Sequence, residues 1–207
     1  MFGMLKGLIK TSTTFPGANH ADEEDDAVDH YETGIELARR QQFPQALKEF
    51  RQAAAREPRW AEAHYNIGLT YAYLNRTTEA IEAYNQALAI NPDYAEAYNN
   101  LGLAHASLGQ HVEAVKAYRQ ALRAKPDYAG PLTNLGVLYY SMGSYQEAAS
   151  VLKRELKLNP DYAMAYYSLG IVYAETKDKE SALTACEKLL ELDPKLAQEL
   201  MIIIDQI

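Results

Sequence analysis

Cysteine is almost missing from this sequence: 207 residues contain one, Cys186. A lone thiol can form no disulfide within the chain and no cysteine-built zinc site. That usage suits a reducing compartment. Basic residues are in deficit, with 20 Lys and Arg against 28 Asp and Glu, a formal net charge of −8. Phosphate neutralisation needs a basic face, so no nucleic acid partner is expected. Long apolar runs are lacking as well. Nothing approaches the roughly 20 apolar residues that span a bilayer, and the apolar start, Met1 to Lys10, is interrupted by Lys6 and Lys10. It has no unbroken core of a secretory signal. A cytoplasmic protein is expected, peripheral to a membrane at most.

Catalytic signatures are missing too. There is no glycine-rich phosphate loop, nucleophile elbow or His-Glu-x-x-His motif. The histidines are His20, His30, His64, His105 and His111, with no pair at i,i+4. His30, His64 and His105 fall where packing residues belong. No enzyme, no metal and no cofactor are expected.

What the sequence does have is a repeat. Glycine recurs at Gly34, Gly68, Gly102, Gly136 and Gly170, in steps of 34. Alanine recurs with the same step at Ala46, Ala80, Ala114, Ala148 and Ala182, and proline at Pro58, Pro92, Pro126, Pro160 and Pro194. A fixed period of this length marks a solenoid built from stacked units. Within one unit, Tyr98, Leu101, Gly102 and His105 share one helical face, a turn carries Gly109, and Ala114, Ala117, Tyr118 and Ala121 share a second face. Proline then stops the second helix. Gly102 and Ala114 stand where two antiparallel helices approach closely. Tyr71, Tyr84, Tyr98, Tyr118, Tyr139, Tyr166 and Tyr173 read as core. Trp60, Tyr94, Tyr128 and Tyr162 read as packing at unit junctions.

This spacing of glycine, alanine, aromatic and proline resembles the tetratricopeptide repeat. The resemblance implies an all-α, right-handed α-solenoid of five 34-residue helix-turn-helix units, spanning 27–60, 61–94, 95–128, 129–162 and 163–196. A capping helix over 197–207 follows, with Leu200, Ile203, Ile204 and Ile207 inward. The departures are Thr33, His105, and Leu152 and Cys186 in the column that otherwise holds Phe50, Tyr84 and Tyr118. Residues 1–26 form an arm, with the acidic run Asp22 to Asp26 just before the first helix. For residues 1–10 three readings stay open: a disordered start, a helix on a membrane surface or partner, or insertion into a groove.

In this family the first helices of successive units line a concave ligand surface. Asn66, Asn100 and Asn134 stand at one register, two residues before each glycine. They resemble the asparagine ladder in the repeat tract of O-linked N-acetylglucosamine transferase, whose amides hold the backbone of an extended peptide. A carboxamide carries a donor and an acceptor and can pair with both backbone groups. Around that register the expected surface includes Tyr31, Tyr65, Asn99 and Tyr167, then Leu69, Leu103 and Val137, and further on Tyr73 and Tyr140. Glu62 and Glu96 make it mildly acidic. The matching positions for a chaperone-tail carboxylate clamp are Tyr31, Ile35, Asn66, Glu96 and Asn100, of which only Asn66 fits. The expected function is a non-catalytic protein-protein interaction scaffold, an assembly factor in one form, holding an extended apolar or basic peptide segment. The alternatives are a self-assembling structural protein joining copies head to tail through its termini, the helix over 197–207 and the N-terminal arm, or a membrane-associated assembly factor tethered by residues 1–10.

Overall fold

A computed structural model describes residues 21–207, with side chains from Asp26 onward. The apolar segment 1–10 and most of the arm lie outside these residues. The described residues form eleven α-helices and no strand. They fall into two compact units, up to Ala114 and from Val115.

The first unit contains α1 (Ala21–Arg39), α2 (Phe43–Arg56), α3 (Ala61–Tyr73), α4 (Thr77–Ile90), α5 (Ala95–Ser107) and the first turn of α6 (His111–Ala124). Each helix from α1 to α5 packs on the next. The second unit contains the rest of α6, then α7 (Ala129–Ser141), α8 (Tyr145–Leu158), α9 (Ala163–Glu175), α10 (Lys179–Leu192) and α11 (Pro194–Ile204). From α7 onward successive helices pack, and α11 also reaches α9.

The turn inside each helix pair repeats one design. Gln41, Asn75, Gly109, Gly143 and Lys177, spaced by 34, all have left-handed φ between 58° and 72°. In each turn the next amide reaches back to the first helix, as when Arg76 N donates to Tyr71 O at 2.9 Å and Ser144 N to Tyr139 O at 2.8 Å. This satisfies carbonyls that the helix end would otherwise leave unpaired. At the junctions between pairs the turn is shorter: Trp60 N donates to Glu57 O at 3.1 Å and Tyr94 N to Asn91 O at 3.2 Å.

The recurrent glycine has a direct reason. A Cβ on Gly34 would lie 2.7 Å from Phe50, one on Gly68 2.6 Å from Tyr84, and one on Gly136 2.7 Å from Leu152. Phe50, Tyr84 and Leu152 are buried to 1% exposure or less, each contributing about 1.5–3 kcal/mol by leaving water.

Several expectations change. The helix of the first pair begins at Ala21, so the acidic run lies within the opening turns of α1, not before it. The last helix begins at Pro194, ahead of residue 197, because the Asp193 side chain accepts from Lys195 N and Leu196 N and caps it there. Leu200 and Ile204 are buried as expected, but Ile207 lies past the helix end and is exposed. Among the tyrosines read as core, Tyr98, Tyr166 and Tyr173 are only half-buried. Tyr162 is 39% exposed, whereas Trp60 and Tyr94 in the same column are 4% and 8% exposed.

Candidate peptide-binding surface

In the first unit the asparagine register is joined to the tyrosine register. Asn66 on α3 donates through Nδ2 to the Tyr31 hydroxyl of α1 at 2.7 Å. Asn100 on α5 donates in the same way to the Tyr65 hydroxyl of α3 at 2.9 Å. The Asn100 Oδ1 also accepts from Asn99 Nδ2 at 3.3 Å. Each phenol is held in place by the junction aromatic: the Tyr31 ring lies 4.2 Å from Trp60 and the Tyr65 ring 4.8 Å from Tyr94, centroid to centroid. Burial, helped by the Glu62 charge, pushes the Tyr31 phenol well above its ordinary range, so it stays protonated.

This geometry changes the reading of the ladder. Asn66 is 3% exposed and ties one first helix to the next. Tyr31, Tyr65, Asn99 and Leu69 are buried with it. Tyr31 and Tyr65 stand at the predicted register but inside the packing, against Trp60 and Tyr94.

The open part of the surface lies beside Asn100. A pocket of about 280 Å³ is lined by Leu69, Ala72, Tyr73, Asn75, Thr77, Tyr84, Asn100, Leu103, Ala104 and Ser107. It unites four residues predicted from sequence: Leu69, Tyr73, Asn100 and Leu103. The Tyr73 ring stacks on Phe43 at 4.7 Å with an interplanar angle of 4°. Its hydroxyl is buried with no hydrogen-bond partner among the described residues, and burial raises its pKa. Glu62 and Glu96, in the first turns of α3 and α5, are half-buried. Mostly apolar walls with the Asn75 and Asn100 carboxamides among them suit an aliphatic or aromatic side chain.

In the second unit Asn134, Tyr140 and Tyr167 are half-buried and Val137 is 53% exposed. The Tyr140 hydroxyl donates to Glu175 at 3.0 Å.

Two features escaped the reading of the sequence. One is a second series of ties, from a cation on the second helix of a pair to a tyrosine on the following helix: Arg51 to the Tyr71 hydroxyl, Arg119 to the Tyr139 hydroxyl at 2.9 Å, and Lys153 above the Tyr173 ring at 5.5 Å. The constant separation of 20 residues was the available signal. The other is Glu155, fully buried in α8 and bonded to Thr133. Its column otherwise holds Ala53, Ala87, Ala121 and Leu189, so a carboxyl there is out of pattern.

Helix pairs of this period, with glycine under an aromatic and a left-handed turn within each pair, define a tetratricopeptide-repeat protein, a class of protein-protein interaction scaffold. Residues 22–200 match the family described as the cilia and flagella-associated protein 70 C-terminal domain, and the chain belongs to that family. No curated protein matches the sequence. Among solved structures, one of MamA is 25% identical, with a TM-score of 0.74 over 80% of this chain and 96% of that one. YrrB, described as a tetratricopeptide protein with an unusual peptide-binding site, is 23% identical with a TM-score of 0.71, over 86% of this chain and 92% of that one. PilF of Pseudomonas aeruginosa is 18% identical with a TM-score of 0.73, over 89% and 90%. Among the described residues no helix is long and apolar enough to cross a membrane.

Proposed function

We propose that this protein is a non-catalytic scaffold that holds an extended segment of a partner protein, with an apolar side chain seated between α3 and α5. The pocket beside Asn100 carries the reading: it is apolar, open, and built by the predicted residues Leu69, Tyr73, Asn100 and Leu103. Glu62 and Glu96 on the same two helices favour a basic residue elsewhere in the segment. Binding of this kind draws on the apolar area removed from water, with charge setting orientation more than affinity. Assembly of a larger complex is the role such a scaffold serves.

A displayed peptide library selected on the full chain tests this. Selected peptides should share an apolar anchor with basic neighbours. Leu103→Lys, which puts a charge into the pocket from a half-buried position, should weaken the best peptide by at least about tenfold, the equivalent of about 1.4 kcal/mol. Recovery of peptides with no apolar anchor, bound equally by the variant, would refute the reading.

A further inference from the structure

Glu155 sits on α8 at the position where three other second helices place alanine: Ala53, Ala87 and Ala121, all fully buried. The Glu155 side chain is equally inaccessible, at 0% exposure. Its partner is Thr133 of α7, in the column that holds Tyr31, Tyr65 and Asn99 in the first unit and Tyr167 in the second. Relative to the first two pairs, a larger acid and a smaller hydroxyl replace alanine and tyrosine. The exchange also removes an aromatic contact: Tyr31 and Tyr65 hold Trp60 and Tyr94 under cover. Thr133 has no ring to offer, and Tyr162 is exposed.

The Thr133 oxygen lies 2.6 Å from both carboxyl oxygens. A neutral acid satisfies both distances, since the hydroxyl donates to one oxygen while the carboxyl O–H donates back to the threonine. An ionised carboxylate leaves one proton to serve two buried acceptors. Nor is there a cation to replace the lost proton. α7 contains no charged residue, and α9 contains only Glu175, which accepts from Tyr140. The remaining titratable groups on these helices and their junction are the phenols of Tyr139, Tyr140, Tyr162, Tyr166, Tyr167 and Tyr173. On α8 itself Glu147, Lys153, Arg154 and Lys157 are exposed and Tyr145 is half-buried; Lys116, Arg119 and Arg123 of α6 and Asp161 of the junction are exposed as well. Arg119 is engaged by the Tyr139 hydroxyl, Lys153 by the Tyr173 ring and Arg154 by Pro126 O, none of them by Glu155.

We propose that Glu155 is a pH-operated latch in the second unit: neutral, it closes α8 on α7, and ionised, it lets the α8–α9 junction open. Opening delivers the carboxylate to water, where its charge is solvated. Burial pushes the closed-state value up to about 7, against the lowering effect of the Thr133 bond. The sign follows from linkage. The closed state binds the proton more tightly, so its stability is complete below the ordinary carboxyl range and is lost as pH rises toward about 7. Above that, both states are ionised and the dependence levels off. The device is independent of the peptide pocket, which lies in the other unit.

Amide hydrogen exchange over residues 158–165 of the full chain, corrected for intrinsic rates between pH 4.5 and 8.5, tests the latch. Protection of wild type should fall by up to about tenfold per pH unit through the acid range and level off near neutrality. Glu155→Gln, which keeps the shape without the ionisation, should be flat. Glu155→Ala, which restores the residue of the other units, gives a second flat control should the amide variant fold poorly. A wild-type profile shared by either variant would overturn the proposal. An equal loss over α3–α5 would overturn it too, because the change would then be global and not a local opening.

Discussion

At Asn66, chemical type and position point in different directions. A carboxamide at a repeated register of an exposed-face helix reads as a contact for a ligand backbone, yet the side chain is 3% exposed and bonded to Tyr31 at 2.7 Å. The sequence already carried the tie as a second spacing: Tyr31 to Asn66 and Tyr65 to Asn100 are both 35 residues apart. Reading along one register hides a partner that sits in another. Such a bond adds little net stability, but removing one partner leaves a buried group unsatisfied, which costs about 1–3 kcal/mol. Asn66→Ala should therefore destabilise the chain by about that amount in urea titration. Asn66→Ala combined with Tyr31→Phe should cost clearly less than the sum of the two single changes. Additive costs would mean that the bond does not form. Val137→Ala, at an exposed site, should stay within about 0.5 kcal/mol of wild type.

Among the helices, the last pair shows how a changed residue can stand for a changed partner. Phe50, Tyr84 and Leu152 cover their glycines from the second helix of the pair. In the last pair that column holds Cys186, which looks like a cavity. It is filled from elsewhere: Leu200 of α11 reaches over α9, and a Cβ on Gly170 would stand 2.4 Å from its Cδ2. Cys186 then bonds weakly through Sγ to Ala197 O at 3.4 Å, and burial keeps its thiol protonated. The small side chain makes room for the closing helix. Gly170→Ala should overpack this contact and lower stability by about 1–3 kcal/mol. Leu200→Ala should relieve most of that clash while carrying its own cavity cost, so the double variant should be more stable than additivity allows. Strict additivity in thermal unfolding would show that Leu200 does not contact Gly170.

For the molecule as a whole, what was legible depended on whether backbone periodicity or side-chain partnership decided it. Helix positions, turns and the glycine-aromatic packing follow from a step of 34, because each recurs wherever the backbone does. Partner choices such as Thr133 with Glu155, or Cys186 with Leu200, break the repeat and needed coordinates. The pocket lies between these cases: Leu69, Tyr73, Asn100 and Leu103 were named from sequence, but that they share one pocket with Ala72, Asn75 and Tyr84 depended on side-chain packing. The same distinction bears on self-association through residues 197–207. The inward side of α11, Ala197, Leu200 and Ile204, is buried against its own unit. Its exposed positions are Pro194, Lys195, Gln198, Glu199 and Ile202, with Met201 and Ile203 beside the 63% exposed Ile202 half-buried. On the helix itself Ile202 is the one large apolar side chain that is exposed, with Ile207 exposed beyond its end, whereas an interface needs a contiguous patch of several hundred Å². Sedimentation should therefore report a monomer through the α11 face, with Ile202→Lys indistinguishable from wild type across concentration. Concentration-dependent assembly abolished by that substitution would move the function from a scaffold for other proteins to a structure made of its own copies.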